Sequence, residues 1–266
     1  MSVDLAPPSY GLPRRDRIAI AAAVAVVCLL AWLFTAYQAS TMQAMDMDPA
    51  MMMAGDRPMT WTAAQFAIVF VMWSVMMMAM MLPGISPMVT AFAAINRRRR
   101  EREAPYVATG VFVVGYAIAW SCFGAAATAI QWQLDARGLV SPMMTATSPA
   151  LTAGLFVLAG VYQLSPLKEV CLRHCRSPVG FILSEWRDGA VGAVVMGLRH
   201  GLFCIGCCAA LMLLLFAVAI MDLRWVAALT LLVTAEKLLP KAHVWRRAIG
   251  LGLILVGLLQ GVPLVL

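Results

Sequence analysis

Apolar runs of roughly twenty residues, separated by short segments that hold nearly all of the arginines, constrain this chain more than any other feature. They cover residues 18–39, 61–82, 105–134, 149–166, a stretch ending near Met221, then 224–239 and 248–264. About 20 apolar residues in a helix span the roughly 30 Å of a bilayer's hydrocarbon core. In that medium every backbone polar group must be satisfied within the segment or a closed barrel. The runs are continuous rather than alternating, which selects helices over a barrel. Composition agrees: of 266 residues, 62% are hydrophobic and 12% charged, against about 45–50% and about 25% in soluble domains. The sequence therefore predicts an all-α, polytopic transmembrane helical bundle of about seven spans, forming a single domain over residues 1–266.

Loop charge sets the predicted orientation. Residues 1–16 read as a flexible N-terminus, with Arg14 and Arg15 (and Arg17 beyond) ahead of the first run. That run exceeds the roughly 7–15 residues of a signal-peptide core, which favours an uncleaved first helix. Alternating seven spans puts sixteen Lys or Arg on the side of the N-terminus and three (Arg57, Arg137, Arg224) on the other, with Arg199 at a span end. Positive residues stay inside, so the N-terminus is expected in the cytoplasm, with the chain in a bacterial inner membrane. The net charge of +7 follows from these basic loops, and no nucleic-acid-binding motif argues for another partner. Segment 40–61 becomes a Met-rich outer loop and 168–188 a cytoplasmic loop. Pro83, Gly84 and Pro87 are expected to end or kink the second span.

Soft donor atoms collect in four places. In the fifth span Met196, His200, Cys204, Cys207 and Leu211 share one helical face, with Cys208 at its edge. Thiolates and imidazole bind soft and borderline ions, Cu(I) and Zn among them; cysteine is also simply a small residue tolerated in apolar helices. In the second span Met76, Met77, Met80 and Met81 form i, i+3 and i, i+4 neighbours. Thioethers bind Cu(I) well, although methionine in a span is commonly packing material. The outer loop holds seven methionines between positions 42 and 59, interleaved with Asp46 and Asp48, a pattern similar to the copper-collecting segments of extracytoplasmic proteins. Cys171, His174 and Cys175 form a Cys-x-x-His-Cys motif, read either as a metal relay at the cytoplasmic mouth or as a plain interfacial segment.

Spans of alternating direction, at 1.5 Å per residue, put Met76–Met81 about 20–30 Å along the second span and Cys204 and Cys207 about 6–11 Å into the fifth. Glu236 falls about 18–20 Å along the sixth, so all three groups share a depth. An ionisable group within a span is a functional candidate. Glu236 serves as ligand, proton acceptor or partner of His200 or Arg199, or else as a structural ion pair between helices. Lys237, adjacent and off that face, is expected to snorkel to the interface.

The segments Met-Met-Met-Ala-Met-Met-Leu-Pro (76–83), Tyr-Gln-Leu-Ser-Pro-Leu-Lys-Glu-Val-Cys-Leu-Arg-His-Cys-Arg-Ser-Pro (162–178), Gly-Leu-Arg-His-Gly-Leu-Phe-Cys-Ile-Gly-Cys-Cys (197–208) and Glu-Lys-Leu-Leu-Pro (236–240) together carry a resemblance. The chain resembles a family of uncharacterised bacterial integral membrane proteins described as metal-binding, from the second span onward. In that family an aromatic residue usually follows the paired cysteines, where this chain has Ala209; the change affects packing more than ligation. The resemblance implies metal binding and no particular reaction.

The reading is a membrane protein that binds a transition metal ion, Cu(I) favoured over Zn, for transport or delivery rather than catalysis. Its expected ligands are His200, Cys204, Cys207, Cys208, Met76, Met77, Met80, Met81, Glu236, Cys171 and Cys175. Expected partners are the lipid bilayer, the ion, and a metallochaperone or subunits of a membrane complex. Two alternatives of other classes stand beside it: a membrane thiol oxidoreductase or assembly factor using Cys204, Cys207 and Cys208, and a non-catalytic subunit of a membrane complex.

Overall fold

Among the described residues, serine followed by proline starts three helices. Proline at the first helical position loses no hydrogen bond, and a serine before it can cap the free backbone N–H groups. In the computed structural model Ser148, Ser165 and Ser177 precede helices at Pro149–Leu164 (α4), Pro166–Arg176 (α5) and Pro178–Glu185 (α6). The Ser165 hydroxyl accepts from Lys168 N at 3.2 Å. Two of these helices occupy residues 168–188, which the sequence reading takes as a loop. The Ser-Pro pairs carried the correct signal there, and the polar composition outweighed it.

The structure describes residues 12–46, 61–103, 106–141, 145–239 and 242–261. Its remaining helices are Arg14–Asp46 (α1), Ala63–Glu101 (α2), Thr109–Asp135 (α3), Gly189–Leu213 (α7), Leu215–Val218 (α8), Leu223–Leu238 (α9) and Ala242–Gly261 (α10). Helix α1 takes in the start of the predicted outer loop. Met47, Met51, Met52, Met53, Met59 and Asp48 lie outside the described residues, as do positions 1–11 of the predicted N-terminal tail.

Among the described residues, five helical stretches are long and apolar enough to cross a membrane: Arg14–Met42, Ala63–Glu101, Thr109–Asp135, Gly189–Val218 and His243–Gly261. Helices α4 and α5, bent by 64° where they meet, make a sixth candidate. Helix α9, predicted as a full span, has 16 residues.

Helix α2 does not end or break at its prolines; it runs for 39 residues through Pro83 and Pro87. A proline within a helix leaves the carbonyl four residues earlier without its backbone donor. Both freed carbonyls have other partners here. Trp32 Nε1 of α1 donates to the Ala79 carbonyl at 3.2 Å, and the Ser86 hydroxyl donates to that of Pro83 at 2.9 Å. The helix thus continues, and the basic block from Arg97 onward forms its last turns rather than a loop.

The core lies around α2, α3 and α7. Trp73, Met76, Met77, Met80 and Met81 of α2 have no exposed surface. Helices α3 and α7 meet backbone to backbone: a Cβ at Gly115 would stand 2.1 Å from the Val194 carbonyl oxygen, and one at Gly197 would stand 2.0 Å from that of Phe112. Small residues at a crossing permit such an approach, and here it sets the face of α7 that turns inward. By contrast α1 and α10 present Leu29, Leu30, Leu33, Leu251, Leu255 and Leu259 on the outside.

Candidate metal centre

The stripe on α7 is buried along its length: Met196, His200, Cys204, Cys207, Cys208 and Leu211 all lie inside. What packs against it changes from turn to turn. Helix α5 lies on the cysteine end, presenting Lys168, Leu172 and Cys175 as its buried side. It can approach closely because residue 206 is glycine: a Cβ there would come within 2.6 Å of Cys171 Sγ. The Tyr162 hydroxyl donates to the Gly206 carbonyl from the end of α4.

This docking brings Cys175 Sγ to 3.9 Å from Cys207 Sγ. The sulfurs of Cys175, Cys204 and Cys207 all lie within 4.8 Å of one another, and all three residues are buried. On the α2 side Met81 Sδ stands 3.8 Å from Cys208 Sγ and 4.0 Å from Cys204 Sγ. Cys207 and Cys208 direct their thiols onto the Cys204 carbonyl oxygen at 3.1 and 2.9 Å. The thiol protons therefore have an acceptor within the cluster itself.

Two polar groups complete the wall. Lys237 Nζ of α9 lies 3.0 Å from Cys204 Sγ and 3.6 Å from Met81 Sδ, and the Tyr116 hydroxyl of α3 lies 3.1 Å from Cys204 Sγ. Lys237 is buried, not extended to an interface as the sequence suggests. Room for it comes from Gly84, where a Cβ would sit 3.0 Å from Lys237 Cδ. Successive helical residues point about 100° apart, which here lets Glu236 and Lys237 face two different inner neighbours.

Glu236 turns to α5: its carboxylate accepts from Lys168 Nζ at 2.7 Å and from Gln163 Nε2. The Lys168 ammonium also donates to Gln163 Oε1 at 2.7 Å. Of the roles open to Glu236, the geometry corresponds to the ion pair between helices, with Lys168 as partner in place of His200 or Arg199. Arg199 pairs instead with Glu185.

His200 is outside the sulfur cluster. Its ring sits among Phe181, Tyr116 and Phe112, with centroids 5.2, 5.8 and 6.1 Å away, and its Nδ1 is buried with no hydrogen-bond partner among the described residues. His174 stacks on Phe203 at 4.1 Å and places Nδ1 2.9 Å from the Val170 carbonyl oxygen. Met76, Met77 and Met80 are buried on α2, while Met81 is the methionine whose sulfur meets the cysteines. Cys171, half-buried, flanks the cluster over Gly206.

Sequence reasoning missed Lys237, Tyr116, Lys168 and Gln163. Lys168 and Glu236 are opposite charges at the edges of apolar segments, a combination that invites pairing, but Lys168 was assigned to a loop. Nothing in the spacing of Tyr116 marks it.

The donor set is soft throughout: three thiols within mutual reach, a fourth thiol and a thioether beside them. Three sulfurs each about 2.3 Å from a shared ion stand about 4 Å apart, the spacing of Cys175 and Cys207. Soft thiolates and thioethers favour Cu(I) and, with thiolate predominance, Zn. Fold and site thus define a helical protein with a buried thiol cluster suited to a soft metal ion. Residues 70–260 match the model of the PpoB2 family, described as a copper chaperone, and the chain belongs to that family. No curated protein and no solved structure matches the chain.

Proposed function

We propose that this protein is a multi-pass copper carrier of a bacterial inner membrane that holds Cu(I) within the bilayer and hands it on. The observation that carries the reading is the mutual approach of Cys175, Cys204 and Cys207 from two different helices. Cys175, Cys204 and Cys207 hold the ion, with Met81 and Cys208 as neighbours able to accept it in exchange. Cu(I) is the cargo, and exchange among closely spaced soft donors moves it without a change of oxidation state. Lys237 supplies a positive charge against the Cys204 sulfur, which offsets the negative charge of a thiolate set in an apolar setting. Cys171, half-buried, lies on the outward side of the cluster and serves as the first or last thiol of a relay.

Exposed leucines on α1 and α10 support a lipid environment. The basic residues at the start of α1 and the end of α2 support a cytoplasmic N-terminus. With the bent α4 and α5 as one crossing and α9 as a short one, the chain crosses seven times.

Metal analysis of the purified protein under reducing conditions tests the reading. About one copper per chain is expected, and background levels in Cys204→Ser/Cys207→Ser. Equal metal in the double variant overturns it. A mixed disulfide trapped at Cys204 in a Cys207→Ser variant, with no metal bound by the wild type, indicates the thiol oxidoreductase instead.

A further inference from the structure

Helix α5 supplies the third thiol of the cluster, and nothing within α5 holds it there. It has 11 residues, fewer than the roughly 12–15 at which isolated helices become even marginally stable. The 64° bend after α4 removes the support of a continuous helix. Its inward face repeats at helical spacing: Lys168 at one end, Leu172 between, and Cys175 two turns on. Lys168 therefore contributes to the register in which Cys175 meets Cys207, beside the packing of Cys171 over Gly206 and the stacking of His174 on Phe203.

Lys168 has no exposed surface, and its ammonium reaches the nearly fully buried Glu236 at 2.7 Å. Gln163 completes the network by accepting from Lys168 and donating to Glu236. The next residue of α9, Lys237, touches Cys204 and Met81. The C-terminal turn of α9 thus reaches both walls of the cluster: α5 through Glu236, and α7 with α2 through Lys237. A buried ion pair is a poor source of net stability compared with apolar packing, but removing one partner leaves an uncompensated charge. Such a pair favours one docked arrangement over its neighbours. On the other side of α5, Glu169 pairs with Arg246 at 2.9 Å, a contact more exposed than that of Glu236.

We infer that Glu236 is a positioning residue for the metal site, acting through Lys168 to hold Cys175 against Cys207. This inference rests on the proposed thiol site but is testable without metal. In protein whose only cysteines are Cys175 and Cys207, dibromobimane becomes fluorescent when it bridges the two sulfurs. The metal-free protein is expected to give strong cross-linking with Lys168 and Glu236 intact. In Glu236→Gln and in Lys168→Met the yield falls about tenfold, because one buried polar partner is then left alone. The charge-swapped pair Lys168→Glu/Glu236→Lys restores it, which a general loss of folding would not. X-ray absorption of copper-loaded protein with all native cysteines gives the second readout: the sulfur count around copper drops by one in Glu236→Gln.

Unchanged cross-linking and sulfur count in Glu236→Gln overturn the inference while leaving the copper site in place. Cross-linking that depends on Glu236 in a protein that binds no copper supports the positioning role and overturns the proposed function. Should Glu236→Gln fail to fold, Lys168→Met and the swapped pair carry the test. Failure of the swap to raise cross-linking above Lys168→Met counts against the inference.

Discussion

Cys204 and His200 lie one turn apart on the same buried face of α7, and their surroundings have almost nothing in common. Cys204 is ringed by polar and soft groups: the Lys237 ammonium at 3.0 Å, the Tyr116 hydroxyl at 3.1 Å and Met81 sulfur at 4.0 Å. His200 is ringed by Phe181, Tyr116 and Phe112, and its Nδ1 has no hydrogen-bond partner among the described residues. Tyr116 borders both, turning its ring toward the histidine and its hydroxyl toward the thiol. Helical periodicity therefore sets which residues face inward, while the neighbouring helix at each turn sets what chemistry they meet.

Removing the charge on the Cys204 side is the strongest way to break this contrast. Lys237→Met keeps the length of the side chain and its passage over Gly84 but deletes the positive charge beside Cys204. Cu(I) affinity, read by competition with a coloured Cu(I) chelator, is expected to fall about 10–100-fold, the range typical when a group supporting a metal ligand is lost. The thermal midpoint of the metal-free protein, whose thiols can stay protonated, should hold or rise, because a buried ammonium is exchanged for an apolar chain. Unaltered copper affinity would mean that the lysine only packs.

Much of this arrangement was legible in the sequence, and the rest was not for identifiable reasons. The α7 stripe followed from a single helix, whose residues keep their relative directions whatever packs beside it. Cys175 was a candidate from its Cys-x-x-His-Cys motif, but its meeting with Cys207 depended on α5 being a helix and on its bend, and that segment was read as a loop from its polar composition. Lys237 was assigned to an interface from the general behaviour of lysine, because the space it occupies depends on Gly84 of another helix. Pro83 and Pro87 were read as ending or kinking the span; that the helix continues depends on donors from Trp32 and Ser86, which satisfy the carbonyls the prolines free. In each case the deciding partner lay beyond the local pattern.

The methionines of α2 sharpen the comparison at smaller amplitude. Met81 touches two cysteines, whereas Met77 is equally buried on the preceding turn. Leucine is close to methionine in volume, and such swaps usually cost less than about 1.5 kcal/mol. Met81→Leu should therefore weaken Cu(I) binding about tenfold through loss of a soft donor beside the thiols. Met77→Leu should change it less than about twofold while altering stability by a similar amount. Equal losses of affinity in the two variants would assign the methionines a shared packing role and remove Met81 from the site.

The smallest effect on copper is expected on the aromatic side. His200→Phe places an apolar ring among Phe112, Tyr116 and Phe181 and deletes a buried nitrogen that lacks a hydrogen-bond partner among the described residues. An unsatisfied buried polar atom costs about 1–3 kcal/mol, so the variant should unfold later than the wild type in a detergent melt. Phenylalanine is somewhat larger than histidine, and overpacking offsets part of that gain. Copper stoichiometry should remain at the wild-type value, because the thiols within 4.8 Å of one another are untouched. Loss of copper from a stable His200→Phe protein would place the imidazole in the metal site and dissolve the division between the two turns of α7. Retention of copper with a raised melting point would mark His200 as part of the aromatic packing between α3, α6 and α7, and would leave the sulfur end of the stripe as the whole of the metal-binding face.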